Sequence, residues 1–132
     1  ANPPLVWSPG MPRLDAPLAA PRYMVVLAAP DNMAPGWIVQ ADAAGALKLM
    51  PLGSTKVPPG RALQFWTKAD SWKGPVSLGL VQPGKAAEVS LAKLPPLQPN
   101  QLFEITLEPQ GGSPIGRPTG PILYIGRAVR ML

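Results

Sequence analysis

Residues 102–108 read LFEITLE, and this stretch has the clearest alternation of apolar and polar side chains in the chain. A repeat of two places successive side chains on opposite faces of an extended backbone, the pattern of a β-strand with one buried face. The apolar face comprises Phe103, Ile105 and Leu107. The opposite face comprises Glu104, Thr106 and Glu108, and we expect this charged face to lie in solvent.

Short apolar runs bounded by turn residues continue on both sides of this strand. They predict further strands at 22–29, 37–42, 46–50, 61–69, 76–82, 88–91 and 122–129. No segment shows the period of about 3.6 residues that marks an amphipathic helix. Seven to nine short strands indicate an all-β sandwich or barrel. We favour a two-sheet β-sandwich of immunoglobulin-like architecture over residues 22–132.

The composition fits one domain with many turns. The chain has 132 residues, the size of an ordinary domain. Its 20 prolines and 13 glycines favour turns and resist helix formation. Six of the prolines lie within residues 1–21, and this density predicts an extended linker or arm ahead of the domain.

The absence of cysteine and histidine excludes several classes of chemistry. A disulfide, a thiolate or imidazole metal ligand and a histidine-based catalytic triad are all ruled out. We therefore expect a protein that is not an enzyme and has no cofactor and no metal site.

Twelve basic and seven acidic residues give the chain a net charge of +5. Such a balance suits nucleic acid or an anionic membrane surface. The basic residues are scattered, however, and no nucleic-acid-binding motif is present, so we expect no nucleic-acid partner. No stretch approaches the roughly 20 apolar residues of a membrane-spanning helix.

Carboxylate and serine pairs offer little support for catalysis. Glu104 and Glu108 are four residues apart on a strand, about 13 Å. Glycosidase carboxylates lie roughly 5–9.5 Å apart.

Two serine–lysine pairs are close in sequence: Ser71 with Lys73, and Ser90 with Lys93. The second pair matches S-x-x-K, but the accompanying S-D-N and K-T-G motifs are absent, which leaves a serine–lysine enzyme as a minor alternative.

Residues 111–120 read GGSPIGRPTG and resemble a phosphate-binding loop only in part. Gly111 and Gly116 have the required spacing, but Arg117 and Pro118 replace the Lys and Ser/Thr of that motif. A predicted strand, rather than a helix, follows. We interpret the segment as a wide loop whose glycines adopt positive φ and whose prolines stiffen it.

Four tryptophans could form a binding platform for a sugar or a peptide: Trp7, Trp37, Trp66 and Trp72. Large aromatic side chains more often belong to the core. Trp72 lies in the predicted loop 70–75 and is the candidate for an exposed binding residue.

Residues 103–126 resemble the C-terminal signature of the anti-sigma-K factor family. That signature runs from one apolar strand through a Gly/Pro segment to another. It is matched here by Leu107, Glu108, Pro109, Gly111, Gly112, Ser113, Pro114, Gly116, Pro118, Thr119, Gly120 and Pro121. Upstream, LQFW at 63–66, which includes Trp66, resembles a second family strand. Gly74-Pro75 with SLG at 77–79 resembles a third, whereas Ile115 stands where Thr is common.

The resemblance implies the outer, periplasmic domain of a single-span anti-sigma factor. A cytoplasmic segment outside this chain would bind an extracytoplasmic-function sigma factor, and an upstream helix would cross the inner membrane. Residues 1–21 would then form a juxtamembrane arm. An envelope signalling protein or a protease would be the direct partner, because release in such systems commonly involves regulated proteolysis.

One further alternative is a generic extracytoplasmic β-sandwich that binds a ligand or a protein. Its binding surface would comprise Trp72 and the loop at residues 109–121.

Overall fold

The computed structural model describes residues 22–42 and 45–131. These residues form nine β-strands and no helix. The strands are β1 (Arg22–Ala28), β2 (Pro35–Ala41), β3 (Ala46–Pro51), β4 (Arg61–Lys68), β5 (Val76–Val81), β6 (Ala87–Ser90), β7 (Leu102–Pro109), β8 (Ile122–Arg127) and β9 (Val129–Met131). The all-β prediction is confirmed for this part of the chain, and the predicted arm at 1–21 lies outside it.

The strands belong to one continuous antiparallel sheet, which is barrel-like and nearly closed. Its order is β5-β4-β7-β8-β1-β2-β3-β6, with β9 pairing with β1. The two-sheet, immunoglobulin-like sandwich is therefore not confirmed. The junction of β1 with β8 joins the two halves of the sheet, with Ala28 opposite Ile125. A Cβ at Gly126 would lie 2.1 Å from the carbonyl oxygen of Val26, so only glycine allows this close approach of β8 to β1.

The core lies inside the curled sheet. Phe65 and Phe103 stack there with ring centroids 5.7 Å apart. Trp37 is fully buried in the same cluster, as the sequence predicts. The other members of the core are Tyr23, Val25, Leu27, Val39, Ala41, Leu47, Leu49, Leu63, Val81, Leu91, Ile105 and Ala128.

Strands β4 and β7 are buried on their outer face as well, and this corrects the sequence prediction. Glu104 is only 5% exposed and Glu108 is 0% exposed, so the expectation that they face solvent is wrong. Trp66 is also fully buried on this face. At Glu108 the cause is the 109–121 segment, which follows β7 and folds back over the end of that strand.

The antiparallel order gathers the loops at the two ends of the sheet. One end, called here the 109–121 end, carries loops 29–34, 52–60, 82–86 and 109–121. The opposite end carries the connections at 69–75 and 91–101, together with Asp42 and Gly45 beside β2 and β3. Across the described ranges, no helix has the length and apolar character that a bilayer span requires.

Candidate functional site

A buried carboxylate organises the 109–121 loop. Glu108 lies at the end of β7 on the outer face, where its side chain accepts hydrogen bonds from four donor groups. The donors are the Thr106 hydroxyl at 2.5 Å, the Thr119 N–H at 3.1 Å, the Gly120 N–H at 3.2 Å, and the Thr119 hydroxyl. A buried carboxylate needs such donors, because they replace the water that it has lost.

A second layer orients the donor from Thr106. The indole Nε1–H of Trp66 donates to Thr106 Oγ1 at 2.9 Å, so the threonine hydroxyl accepts from Trp66 and donates to Glu108. Cross-strand neighbours on β4 and β7 thus deliver both groups to one face. We call Trp66, Thr106, Glu108, Thr119 and Gly120 the Glu108 network.

The pKa values of Glu104 and Glu108, which share this face, are shifted in opposite directions. Burial acts to raise the pKa of Glu108, but the hydrogen bonds from Thr106, Thr119 and Gly120 favour the ionised form and hold its pKa below the ordinary value. Burial is also the main influence on Glu104, and the negative charge of Glu108 adds to it, so the pKa of Glu104 is raised. Glu108 is therefore the more acidic carboxyl group of the pair.

The loop has a second attachment to the sheet at Gln64. The N–H of Ser113 donates to Gln64 Oε1 at 2.7 Å, and Gln64 Nε2 donates to the Ser77 hydroxyl at 2.7 Å. A Cβ at Gly112 would lie 3.0 Å from Gln64 Oε1, which shows how closely the loop backbone approaches this side chain. The Glu108 and Gln64 attachments together hold both arms of the loop against the sheet.

The return arm of the loop packs directly on the backbone of β7. The N–H of Leu107 donates to the carbonyl oxygen of Pro121 at 3.0 Å. A Cβ at Gly120 would lie 1.6 Å from the carbonyl oxygen of Leu107, so no other residue fits there in this backbone arrangement. Glycine at this position is thus a requirement for the contact that covers Glu108.

The turn of the loop is stabilised internally. The Ser113 hydroxyl donates to the carbonyl oxygen of Arg117 at 2.5 Å. Gly111, Gly112 and Gly116 have φ of 88°, 100° and 71°. The prediction of positive φ is confirmed for these three glycines but not for Gly120, the fourth glycine of the segment.

The structure brings some of the site residues that the sequence predicts into contact with one another. Trp66, Glu108, Thr119 and Gly120 meet in the Glu108 network, and Gly112 and Ser113 reach Gln64. Leu107, Pro109 and Pro118 are half-buried beside them, whereas Pro114, Gly116 and Pro121 are exposed. Trp72 is half-buried in the 69–75 loop at the opposite end and does not take part.

Sequence reasoning did not identify Gln64, Ser77 and Thr106 as site residues, although Gln64 and Ser77 lie in the stretches 63–66 and 77–79 that resemble family strands. One signal could have identified Thr106, because it shares the face of Glu108 two positions earlier on an alternating strand. Gln64 shares that face across the β4–β7 register, where it lies opposite Thr106. That register is not visible in the sequence.

The arrangement suits a structural and interaction role. The Glu108 carboxylate is occupied by hydrogen bonds that stabilise its ionised form, which makes it a poor proton acceptor. The Ser90 hydroxyl accepts a hydrogen bond from the N–H of Ala92 at 3.2 Å, a local turn contact. Within residues 22–42 and 45–131, no three His, Cys, Asp or Glu side chains form a potential metal site.

Comparison with known proteins gives one match. The family model described as anti-sigma-K factor rskA, C-terminal, matches residues 7–122, which include the Glu108 network and the whole 109–121 loop. No curated protein and no solved structure was found to match the chain.

Proposed function

Because the chain belongs to the anti-sigma-K factor family, as its C-terminal domain, we propose that it is the extracytoplasmic regulatory domain of a membrane-bound anti-sigma factor. The family match over residues 7–122 carries this proposal. A cytoplasmic segment elsewhere in the protein holds an extracytoplasmic-function sigma factor, and a membrane helix upstream joins that segment to this domain. The domain itself is periplasmic and does not bind the sigma factor.

The described residues support a regulatory role over a catalytic one. Glu108, the buried carboxylate that accepts hydrogen bonds from Thr119 and Gly120, anchors a loop to the sheet. A loop attached at Glu108 and at Gln64 presents a defined surface to a partner. Rigid presentation of this kind suits the recognition of an envelope protein, because little conformational freedom is lost on binding.

We propose that residues 1–21 are the segment at which regulated proteolysis begins. Six prolines in this stretch favour an extended backbone, the form that proteases bind. The folded domain limits access to this segment until a signal arrives. Limited proteolysis of the chain tests this step: the first cuts are expected within residues 1–21, and first cuts within the sheet would contradict it.

A sigma-dependent transcription reporter tests the regulatory role in cells. Full-length protein and a variant that ends before residue 22 are compared in a strain without the native gene. We expect the truncated protein to lose the normal response to envelope stress, with reporter output changed several-fold. Equal output and equal response from both proteins would show that this domain has no regulatory role.

A ligand-binding module is the second candidate, and one observation favours it. An open groove of about 660 Å³ is lined by outward side chains of β2, β3 and β6, among them Gln40, Lys48 and Glu88. Trp72 does not line this groove. A sugar or peptide ligand that raises the melting temperature of the chain, and fails to do so after Lys48→Ala, would support this candidate.

A further inference from the structure

Large aliphatic side chains are exposed on three loops at the 109–121 end. The exposed fractions are 77% for Met33, 50% for Leu52 and 56% for Ile115. The three residues lie in loops 29–34, 52–60 and 109–121, which the sheet order places at one end. Side chains this exposed add little to the core, so their apolar character is available to something outside the domain.

Met33 is the most informative of the three, because its backbone also disfavours a side chain. Its φ is 60°, a left-handed conformation that glycine adopts far more readily. The turn is held by the Met33 N–H, which donates to the carbonyl oxygen of Ala29 at 2.8 Å, and by the Ala34 N–H, which donates to Asn32 Oδ1 at 2.9 Å. Neither packing nor backbone preference accounts for a methionine at this position.

The same end is positively charged. Four exposed cations, Lys56, Arg61, Lys85 and Arg117, lie in or beside its loops. Among the described residues in or beside these loops, the exposed carboxylates are Asp31 and Glu88, because Glu108 is buried. Charge complementarity therefore favours an anionic partner.

The chemistry of this end favours a lipid surface over a protein. The two concavities described for the domain lie elsewhere, one on β2, β3 and β6 and the other between Asp42 and the segment 91–97. Protein hot spots are rich in Trp, Tyr and Arg and pair with pockets. Here the apolar groups are separate aliphatic tips, which suit the soft interface of a bilayer.

We propose that the 109–121 end docks on an anionic lipid bilayer. Met33, Leu52 and Ile115 enter the interfacial region, and the four cations contact the phosphate headgroups. Apolar insertion and electrostatic attraction to anionic lipids act together in such binding.

This proposal goes beyond the proposed function. It rests on the proposed function only in requiring a membrane close to the domain. Arg22 pairs with Met131 at the opposite end, so the chain enters the domain far from the docking loops. The 21 preceding residues can span up to about 70 Å. The eight residues of β4 extend over only about 26 Å. An upstream anchor would therefore allow this end to reach the bilayer, and tethering would make even weak docking effective.

Vesicle co-sedimentation of the 132-residue chain tests the docking directly. The probes are vesicles of mixed phosphatidylglycerol and phosphatidylcholine, and vesicles of phosphatidylcholine alone. We expect binding to the anionic vesicles at low salt and its loss at about 1 M salt, where charges are screened beyond roughly 3 Å. Absence of binding to the anionic vesicles would overturn the proposal.

Matched variants separate the docking loops from the rest of the surface. Met33→Gly and Ile115→Thr are each expected to weaken vesicle binding by on the order of tenfold. Val129→Thr is the control, because Val129 is 64% exposed at the opposite end. The Met33→Gly protein should be at least as stable as the wild type, since glycine suits a φ of 60°, so its loss of binding reports contact and not unfolding.

Charge reversal provides the second pair. Lys85→Glu at the docking end should weaken binding about fivefold or more, and Lys73→Glu at the opposite end should leave it nearly unchanged. Equal losses for both members of either pair would contradict docking by this end. A wild-type affinity for vesicles in the Met33→Gly protein, together with a lost stress response in cells, would also contradict it and indicate a protein partner. None of these vesicle results bears on the proposed function, which the transcription reporter tests.

Discussion

The carboxylate of Glu108 and the backbone N–H of Thr119 are joined across eleven residues of chain, at 3.1 and 3.2 Å to the two carboxylate oxygens. Strand β7 ends at Pro109 and β8 begins at Ile122, so this bond lies where the chain returns to the strand that it has just left. The returning backbone covers the carboxylate that holds it. The fold of the 109–121 loop and the burial of Glu108 therefore depend on each other.

The Glu108→Gln substitution should lower the free energy of unfolding by about 2 kcal/mol at neutral pH. Glutamine retains one acceptor oxygen, but its NH2 group would face the donors of Thr119 and Gly120. Urea denaturation measures the change. Glu88→Gln is the control, because Glu88 is exposed on β6 opposite Lys48, and it should alter stability by less than about 0.5 kcal/mol. Similar losses in the two variants would show that Glu108 has no special structural role.

The stabilising effect of Glu108 should disappear in acid. Its pKa in the folded protein is lowered, so the stabilisation is present above the unfolded-state pKa of about 4.3 and is lost as the pH falls through the folded-state value. The difference in unfolding free energy between wild type and Glu108→Gln should therefore shrink below about pH 4. A difference that stays constant from neutral pH to acid would contradict the assigned pKa shift.

The opposite pH dependence is expected of Glu104. The pKa of Glu104 in the folded protein is raised, so the folded state favours the protonated carboxyl group. Its contribution to stability is therefore fully present below the unfolded-state pKa and is lost as the pH rises through the folded-state pKa. Glu104→Gln should therefore stabilise the domain at neutral pH, by on the order of 1 kcal/mol, and have little effect in acid. Thermal unfolding at several pH values measures this. A destabilised Glu104→Gln protein at neutral pH would show that the charged carboxylate is favourable there.

The Gly120→Ala substitution should destabilise the domain by more than about 2 kcal/mol. The new Cβ would overlap the carbonyl oxygen of Leu107, and relief requires the return arm of the loop to move away from β7. Gly53→Ala provides the comparison, because a Cβ at Gly53 meets no atom within 4 Å. If the Gly120→Ala and Gly53→Ala proteins unfold at the same urea concentration, that result would contradict the close approach of Gly120 to the carbonyl oxygen of Leu107.

The local pattern of the sequence was sufficient to place the strands. The alternation at 102–108 identifies β7 (Leu102–Pro109), and its apolar residues Phe103 and Ile105 do face the core. Several boundaries differ by one or two residues, and the predicted strand at 122–129 is interrupted at Ala128 and continues as β9. Between β8 and β9 the N–H of the buried Ala128 donates a hydrogen bond to the carbonyl oxygen of Gln101.

Long-range relationships were beyond what the sequence alone allows. A period of two shows which face of a strand is apolar, but it does not show which strand lies beside it. The junction of β1 with β8, which makes one sheet in place of two, depends on the pair Ala28 and Ile125, 97 residues apart. For the same reason the sequence predicts Glu104 and Glu108 in solvent, since no local pattern shows that both faces of β7 are buried.

The most direct test of the account is a sigma-dependent transcription reporter in cells that carry full-length protein with Glu108→Gln or with Asp70→Asn, since Asp70 is exposed and lies outside the groove. If the domain controls release of the sigma factor and the Glu108 network maintains the domain, Glu108→Gln should raise unstimulated reporter output several-fold, because a loosened domain no longer limits proteolysis. The Asp70→Asn protein should behave as the wild type. Wild-type output and wild-type response from the Glu108→Gln protein, once purified protein has been shown to be destabilised, would contradict the account.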